Sequence, residues 1–529
     1  MRTEDWFLTA AERRNAHSRL AAWSEGNDAE PLIHGAEYFA RLATEVEALG
    51  EGDHLFFTDW RGDPDERLGP DAPTVSELFS GAARRGVVVK GLMWRSHPDA
   101  LTYSQQENRH LGHAVEAAGG EVLLDQRVRR GGSHHQKLVV LRHVHEPDRD
   151  VAFVGGIDLC HSRRDDARHV GDPQAVPMTE AYGPRPPWHD VQLAVRGPAV
   201  GEFDATFRER WEDHHALDAH SPIAWARDLI GRADLTTGRL PPQPANPPTR
   251  GTAAVQLLRT YPARRPGYDF APRGERSVAR AYVKAVRRAR RIVYLEDQYL
   301  WSKEVARLFA AALRACPTLQ LVIVVPRHPD VDGRLAQPPN LLGREQAMEA
   351  CRRAGADRVH VFDVENHDGV PVYVHAKICV VDDVWATVGS DNFNRRSWTH
   401  DSELSCAVLD GRRDAREPTD PAGRGDGARL FARELRLRLM REHLDRAPDG
   451  TEDADLIDPE SAVRALTRSA EDLEAWHARG RNGPRPPGRL RPHNPQRLGI
   501  FTRLWADPAY RLVYDPDGRR WRDRVRGAW

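Results

Sequence analysis

Residues 375–392 read HAKICVVDDVWATVGSDN. A His and a Lys two apart head an apolar run, so the spacing predicts a strand with His375 and Lys377 facing the same side. A turn at Asp382, a second apolar run and a small-residue turn follow, giving the order His375, Lys377, Asp382, Gly389, Ser390, Asn392. Residues 135–158, HQKLVVLRHVHEPDRDVAFVGGID, take the same course from His135 and Lys137. Five residues after Lys137, however, stands Arg142 where the second copy has Asp382.

The likeness extends outward. HLFFTDW (54–60) and RIVYLEDQYL (291–300) both read as buried strands ending in acid. Helical patterns follow at VSELFSGAARR (75–85) and EVARLFAAALRA (304–315), then apolar strands at GVVVKGLMW (86–94) and LQLVIVVP (319–326). Asp59 precedes His135 by 76 residues and Asp297 precedes His375 by 78. Two ordered series at nearly equal spacing indicate a duplicated unit. Alternating strands and helices indicate an α/β fold, here two fused α/β/α sandwich repeats with mixed sheets. The expected organisation is an N-terminal extension (1–29), a first repeat (30–240), a Pro-rich linker (241–252), a second repeat (253–450) and a C-terminal extension (451–529). PPQPANPPT (241–249) reads as extended rather than packed. Segment 411–428 reads as an exposed loop and 481–495 as irregular and surface-bound.

The repeat bears on Arg142. Asp382 lies seven residues before Gly389, and seven before Gly155 is Asp148. DRDVAFVG (148–155) then aligns with DDVWATVG (382–389) without a gap. The expectation is a hairpin lengthened by RHVHEP (142–147), with Asp148 as the counterpart of Asp382; inserted loop residues are inexpensive.

Composition narrows the class. The chain has 529 residues, 40% hydrophobic and 29% charged, with a formal net charge of −1. Neither a nucleic-acid-binding stripe nor a bulk attraction to anionic membranes follows from that balance. Five scattered Cys without a CxxC pair suit reduced thiols in a cytoplasmic protein. No secretory h-region and no run long enough to span a membrane are found. Among 77 basic residues only five are Lys: 90, 137, 284, 303 and 377. Two of those five sit in the His-x-Lys pairs, where an ammonium is not interchangeable with guanidinium.

These paired motifs, with PWHDVQLAVRGPAV (187–200), FRERW (207–211), GGIDLCHSRRDD (155–166), ARAYVKAVRRARRIVYLEDQYL (279–300) and ELRLRLMREHL (434–444) around them, resemble the phospholipase D superfamily and its eukaryotic-type core over about residues 20–450. The resemblance implies an active site at the pseudo-twofold interface of the repeats, with one His from each. It implies phosphodiester cleavage through a phosphohistidine, with His135 as nucleophile and His375 as acid; the residues alone leave that assignment symmetric. Lys137, Lys377 and Asn392 are expected to hold the non-bridging oxygens. Asp166 and Glu403 are expected to orient the imidazoles, with Asp401 beside them. Asp158, Ser390, Asp148 and Asp382 are expected to line the substrate site.

The scheme requires no cofactor and no metal. A zinc site among His134, His135, His143, His145 and Glu146 is a competing reading, opposed by the neighbouring Lys. PWHD has a structural reading too, with Asp190 capping a turn. Glu296 and Asp297 stand at a strand's C-terminal end, where α/β folds bind ligands. Arg127, Arg129 and Arg130 are either a headgroup contact or a solvated basic loop.

The expected activity is hydrolysis of a phospholipid to phosphatidic acid and headgroup alcohol, with possible transfer to another alcohol. Alternatives are a cardiolipin synthase-like phosphatidyltransferase, a nuclease, or a non-catalytic lipid-binding module. About thirty residues before the first repeat are expected to be too few for a targeting module, so the expectation is either peripheral membrane contact through loops on the core or a dispersed lipid substrate.

Overall fold

The apolar runs behind both His-x-Lys pairs become inner strands of one large sheet. In the computed structural model, residues 2–95, 105–215, 217, 237–330, 337–494 and 497–529 are described. The first half supplies β1 (Ser24–Ile33), β2 (His54–Asp59), β3 (Val88–Trp94), β4 (Glu121–Asp125), β5 (Leu138–Arg142), β6 (Val151–Gly155), β7 (Trp188–His189) and β8 (Val191–Arg196). The second supplies β9 (Ala253–Tyr261), β10 (Glu275–Arg276), β11 (Ile292–Asp297), β12 (Gln320–Val324), β13 (Val359–Val364), β14 (Tyr373–Val374), β15 (Lys377–Val381), β16 (Trp385–Gly389) and β17 (Glu403–Asp410). A last short strand, β18 (Leu490–Pro492), comes from the C-terminal region.

The order across the sheet is β18-β13-β12-β11-β15-β16-β17-β9-β1-β8-β6-β5-β2-β3-β4. Leaving β18 aside, it reads the same inward from either edge once β13 is matched to β4, β12 to β3, β11 to β2, β15 to β5, β16 to β6, β17 to β8 and β9 to β1. The outer three strands of each half are parallel and the inner ones antiparallel, so each half is a mixed sheet. The halves join where β1 meets β9, with Asn27 opposite Ala253. The duplication expected from the spacing is thus present as a fold repeat, fused edge to edge.

Helices cover the faces. Val75–Arg84 and Lys303–Ala315 fall where the apolar spacing placed them, each started by a side-chain cap, Thr74 and Ser302. One apolar cluster runs through both halves, from Phe56 and Val140 to Ile378 and Leu435.

Several expectations about the flanks change. PPQPANPPT is irregular, as its prolines dictate, yet it is fastened down. Arg208 donates to the Pro241 carbonyl at 2.6 Å and Arg142 to that of Ala245 at 2.6 Å. Trp6, Phe7 and Leu8 of the N-terminal segment are buried in the second half's core. The stretch expected to be irregular over 481–495 contains β18, which pairs with β13 through Phe362 and Pro492; its last residue lies outside the described residues. Before it runs a long helix, Pro459–Ala478, capped by Asp458.

The hairpin insertion has the expected length: Leu138 pairs with Val154 while Ile378 pairs with Val388, a separation six residues greater. Its acid is not Asp148. Arg142 continues β5, opposite His54, and is fully buried. Its guanidinium donates to Asp150 and to Asp204, each at 2.7 Å. Asp148 sits exposed in a short 3-10 turn, Pro147–Arg149. In the second half Asp382 accepts backbone N–H groups from Arg290, Arg291 and Ile292 at 2.7–2.9 Å. In the first half two acids fasten the hairpin: Asp150 accepts from His143 N at 2.6 Å, and Asp53, just before β2, accepts from Val144 N at 2.9 Å.

Candidate active site

Both His-x-Lys pairs lie at the start of their strands rather than within them. The reason is that each His backbone is tied across to the other half. His135 N donates to Ser402 O at 2.9 Å, and His375 N donates to His189 O at 2.7 Å. The side chains repeat the exchange. His135 Nδ1 meets Glu403 Oε2 at 2.9 Å, and His375 Nδ1 meets Asp190 Oδ2 at 2.6 Å. Each imidazole is therefore oriented by a carboxylate from the opposite repeat, and each ring keeps its Nε2 to offer a ligand.

Asp190 and Glu403 are equivalent by register. Gly155 pairs with Gln192 and Gly389 with Ser405, two residues beyond each acid. Gly155 and Gly389 are small because the next strand is close: a Cβ at Gly389 would lie 1.8 Å from Ser405 Oγ. The following position differs between the halves. Ser390 Oγ donates to Glu403 Oε2 at 2.6 Å. At Gly156 a Cβ would sit 2.1 Å from Asp190 Oδ1, so glycine is what lets this acid approach.

The expected partner Asp166 does not reach an imidazole. It is partly exposed and bound to Arg168 at 2.6 Å. Asp190, read from sequence as a turn cap, has the place Asp166 was assigned. The signal was present: HDVQLAV (189–195) and the run through Glu403, SELSCAV (402–408), align without a gap at the two acids. Asp401 acts one step away, accepting from Ser133 N at 2.9 Å and pairing with Arg396 at 2.8 Å. Asp148 and Asp382, expected on the substrate site, lie elsewhere. Asp382 follows the last residue of β15, at the opposite end from Lys377, roughly 16 Å along a five-residue strand.

Lys137 and Lys377 are both buried. Each Nζ donates to the carbonyl of its own His, Lys137 at 3.2 Å, which keeps the pair on one side. Lys137 also meets Asp158 at 3.0 Å. Asp158 occupies the first-half position of Asn392, three residues beyond the motif glycine. Burial raises Asp59 well above the usual carboxylate range, helped by the charge of Asp158. Burial alone would raise Asp158 too, but Lys137 and Arg163 hold it low. The Asp59 carboxylate oxygens accept from Trp60 N and Leu159 N at 2.8 and 2.9 Å. Asp297, its equivalent on β11, accepts from Phe393 N at 2.9 Å and is pushed up to about 6 by burial.

Electrostatics tie the four motif groups together. Burial, then Lys137 and Lys377, holds His135 well below its ordinary range. Burial, then Lys377 and Arg163, does the same to His375. Burial lowers Lys377 to about 8, with Lys137 adding repulsion. Burial raises the carboxyls of Glu403 and Asp190. The pocket therefore disfavours isolated charge and sets two lysines beside two imidazoles whose charged forms burial disfavours, an arrangement that suits an anionic ligand. Trp60 and Trp188 form its walls: Trp60 lies 6.2 Å from the His135 ring, Trp188 5.0 Å from that of His375. The Arg163 guanidinium stacks on Trp188 at 4.0 Å. Asn392 is buried, and its Oδ1 has no hydrogen-bond partner among the described residues.

Behind His375 lies a buried polar cluster that sequence reasoning missed. His34, His169, His189 and Glu442 bring one donor atom each within 4.8 Å of one another. By type such a set suits zinc. Here Glu442 is shared as an acceptor, 2.7 Å from His34 and 3.0 Å from His169. His189 Nε2 meets Glu296 at 2.6 Å, and His443 meets the same carboxylate at 2.8 Å. The cluster braces His189, whose carbonyl holds the His375 backbone. The other zinc candidate is dispersed: His134 is buried with neither ring nitrogen hydrogen-bonded among the described residues, His143 faces Asp53 at 3.4 Å, and His145 and Glu146 are exposed. Arg127 is not a headgroup contact either; it is buried against Asp125 at 3.0 Å.

Paired imidazoles, each oriented from the opposite repeat and flanked by lysine, make up the candidate site. Comparison with known proteins agrees. The family model described as Phospholipase D matches residues 69–306, and that described as Cardiolipin synthase, PLD-like domain, matches 283–417. The chain belongs to the phospholipase D superfamily. It is similar to Phospholipase D alpha 1 of Vigna unguiculata, 25% identical over 71% of this chain and 61% of that protein. It is 28% identical to Phospholipase D A of Dictyostelium discoideum over 60% of this chain and 27% of that one. The chain thus spans less than two thirds of these relatives' lengths. Among solved structures, phosphatidylserine synthase of Haemophilus influenzae covers 73% of this chain and 82% of its own, with 12% identity and a TM-score of 0.49.

Proposed function

We propose that the protein is a phospholipase D-type phosphodiesterase. The observation that carries the reading is the reciprocal pairing of His135 with Glu403 and His375 with Asp190 in one pocket with Lys137 and Lys377. The phosphodiester places its non-bridging oxygens against the two ammonium groups and the Asn392 amide. The His135 Nε2 lone pair attacks phosphorus, while the His375 Nε2 proton passes to the departing headgroup oxygen as its P–O bond breaks. The incoming anion offsets the burial that otherwise keeps His375 neutral, so the acid is charged when substrate is bound. The phosphatidyl group remains on His135. His375, now neutral, takes a proton from water, which displaces His135 and yields phosphatidic acid. An alcohol in place of water yields a phosphatidyl-alcohol.

The match of the second half to the cardiolipin synthase-like model supports one further reading, a phosphatidyltransferase. It shares the intermediate and differs in the acceptor. Incubation with phosphatidylcholine and a primary alcohol distinguishes the two: phosphatidic acid in water is expected for the hydrolase, and phosphatidyl-alcohol without phosphatidic acid indicates the transferase. Cleavage of DNA or a bis-aryl phosphate without lipid turnover would indicate a nuclease, and lipid binding without any turnover a binding module.

The partner is a phospholipid surface, met peripherally. Among the described residues no helix is long and apolar enough to cross a membrane. The five cysteines are free and buried, which fits a reducing, cytoplasmic setting.

A further inference from the structure

The helix Ile500–Ala509 and the wide turn Tyr510–Tyr514 that continues it face the wrong way for an ordinary surface helix. Ala506 and Tyr510 are buried, and Tyr510 donates to Trp301 O at 2.7 Å. The opposite side is apolar and open: Ile500, Phe501, Leu504 and Leu512 are 70–86% exposed, and Trp505 is 41% exposed. At helical spacing these five lie within an arc of about 140°. Contiguous exposed apolar surface of this kind marks a site of interaction.

Two observations identify its occupant. The first is charge. Residues 497–529 hold eight Arg against four Asp, in a chain whose net charge is −1. Arg503 and Arg511 lie within the helical stretch with their side chains 45% and 66% exposed. Exposed aromatic and aliphatic side chains with arginines among and beside them are the composition of a helix lying in a lipid interface. The second is continuity with the pocket. Arg396 donates to Val513 O at 2.8 Å and to Gly131 O at 2.9 Å. Asp515 accepts from Arg395 N and Arg396 N at 2.7 and 3.1 Å. Gly131 begins the loop that delivers His135, and Asp401 fixes Ser133 on the same loop. The apolar face is thus bolted to the rim of the first catalytic half.

We infer that the outward face of residues 500–513 docks on a phospholipid bilayer, its apolar side chains entering the acyl boundary and its arginines meeting headgroup phosphates. Docking there sets the pocket rim at the height of the phosphodiester to be cleaved. The inference rests on the lipid phosphodiesterase reading and adds to it the element that meets the membrane.

The test compares the full chain with I500S/F501S/L504S. Vesicles of phosphatidylcholine with phosphatidylglycerol probe docking by co-sedimentation and by Trp505 fluorescence. A short-chain phosphatidylcholine below its micellar concentration probes chemistry. The expected result is a loss of vesicle binding and vesicle turnover of at least about tenfold, with monomeric turnover within about threefold and Tm unchanged. Undiminished vesicle binding by the variant overturns the inference. So does a wild-type dimer that the substitutions dissociate while vesicle binding persists, since a second copy would then cover the face. If the wild type turns over neither lipid form yet binds vesicles through this face, docking stands and the enzymatic reading fails.

Discussion

Asp190 and His375 stand 185 positions apart in the chain and come from different repeats, yet Oδ2 of one sits 2.6 Å from Nδ1 of the other. Gly156 makes the approach possible, because any Cβ there would strike the Asp190 carboxylate. Asp190→Asn keeps the shape and removes the charge that orients the ring and stabilises its protonated form. A fall in kcat of about 10²–10⁴ is expected, with little change in Tm. Glu403→Gln should act on the His135 side to a similar degree. Asp166→Asn serves as the control and should leave kcat within about twofold, since its charge serves only Arg168. Steady-state kinetics on a soluble phosphodiester decide between the acids.

The proposed mechanism gives the two imidazoles different duties, and leaving-group chemistry separates them. Loss of the acid should matter most for a poor leaving group such as choline and least for p-nitrophenolate, whose departure needs no proton. His375→Ala is therefore expected to retain measurable release of p-nitrophenol while losing lipid turnover. His135→Ala should lose both. A rapid-quench search for the phosphohistidine adduct completes the test; its appearance on residue 375 would reverse the assignment.

Lys377 governs the alkaline limit. Its ammonium is lowered to about 8 by burial and by the Lys137 charge. The free enzyme loses a phosphate-holding charge as pH rises through that value, so kcat/KM should decline above about pH 8. Bound phosphodiester favours the ammonium and shifts the decline in kcat to higher pH. A kcat/KM profile that stays level up to pH 10 would contradict this role. For stability the sign is opposite: an unfolded Lys binds its proton up to its ordinary value, so stability rises with pH between the folded and unfolded values.

Arg142 tests the first hairpin. It is buried between Asp150 and Asp204, and Arg142→Ala strands two buried carboxylates. A destabilisation of about 3–5 kcal/mol is expected in denaturant unfolding. Asp148→Ala should change stability by less than about 0.5 kcal/mol, because the residue is exposed.

The central strands and the motif pairs were legible because burial on both faces leaves apolar runs such as KLVVL and KICVV, and because the duplication repeats them at matched spacing. Glu403 was legible on the same ground. Asp190 was not reached because it was sought downstream of the small-residue turn, at Asp166, where the first half carries a long excursion before β8. Aligning strands rather than turns finds it. Arg142 misled for a different reason: the hairpin is fastened by Asp150, two residues past the expected Asp148, and by Asp53 from just before the neighbouring strand, and pairing across strands leaves no local pattern. The cluster around Glu442 unites residues from 34 to 443, a proximity that only the folded chain creates. The helix at 459–478 did carry a local signal, an Asp-Pro-Glu start, outside the repeated unit.

The palindromic strand order has a consequence for how such a site can change. In a symmetric pair of separate subunits every substitution appears twice, so the two imidazoles would have to share one environment. Joining β1 to β9 in a single chain releases that constraint. The two halves already differ where it matters: Asp190 beside a glycine faces Glu403 beside a serine, and Asp158 stands opposite Asn392. Fusion leaves each imidazole free to be tuned separately from across the seam, as the proposed division into nucleophile and acid requires.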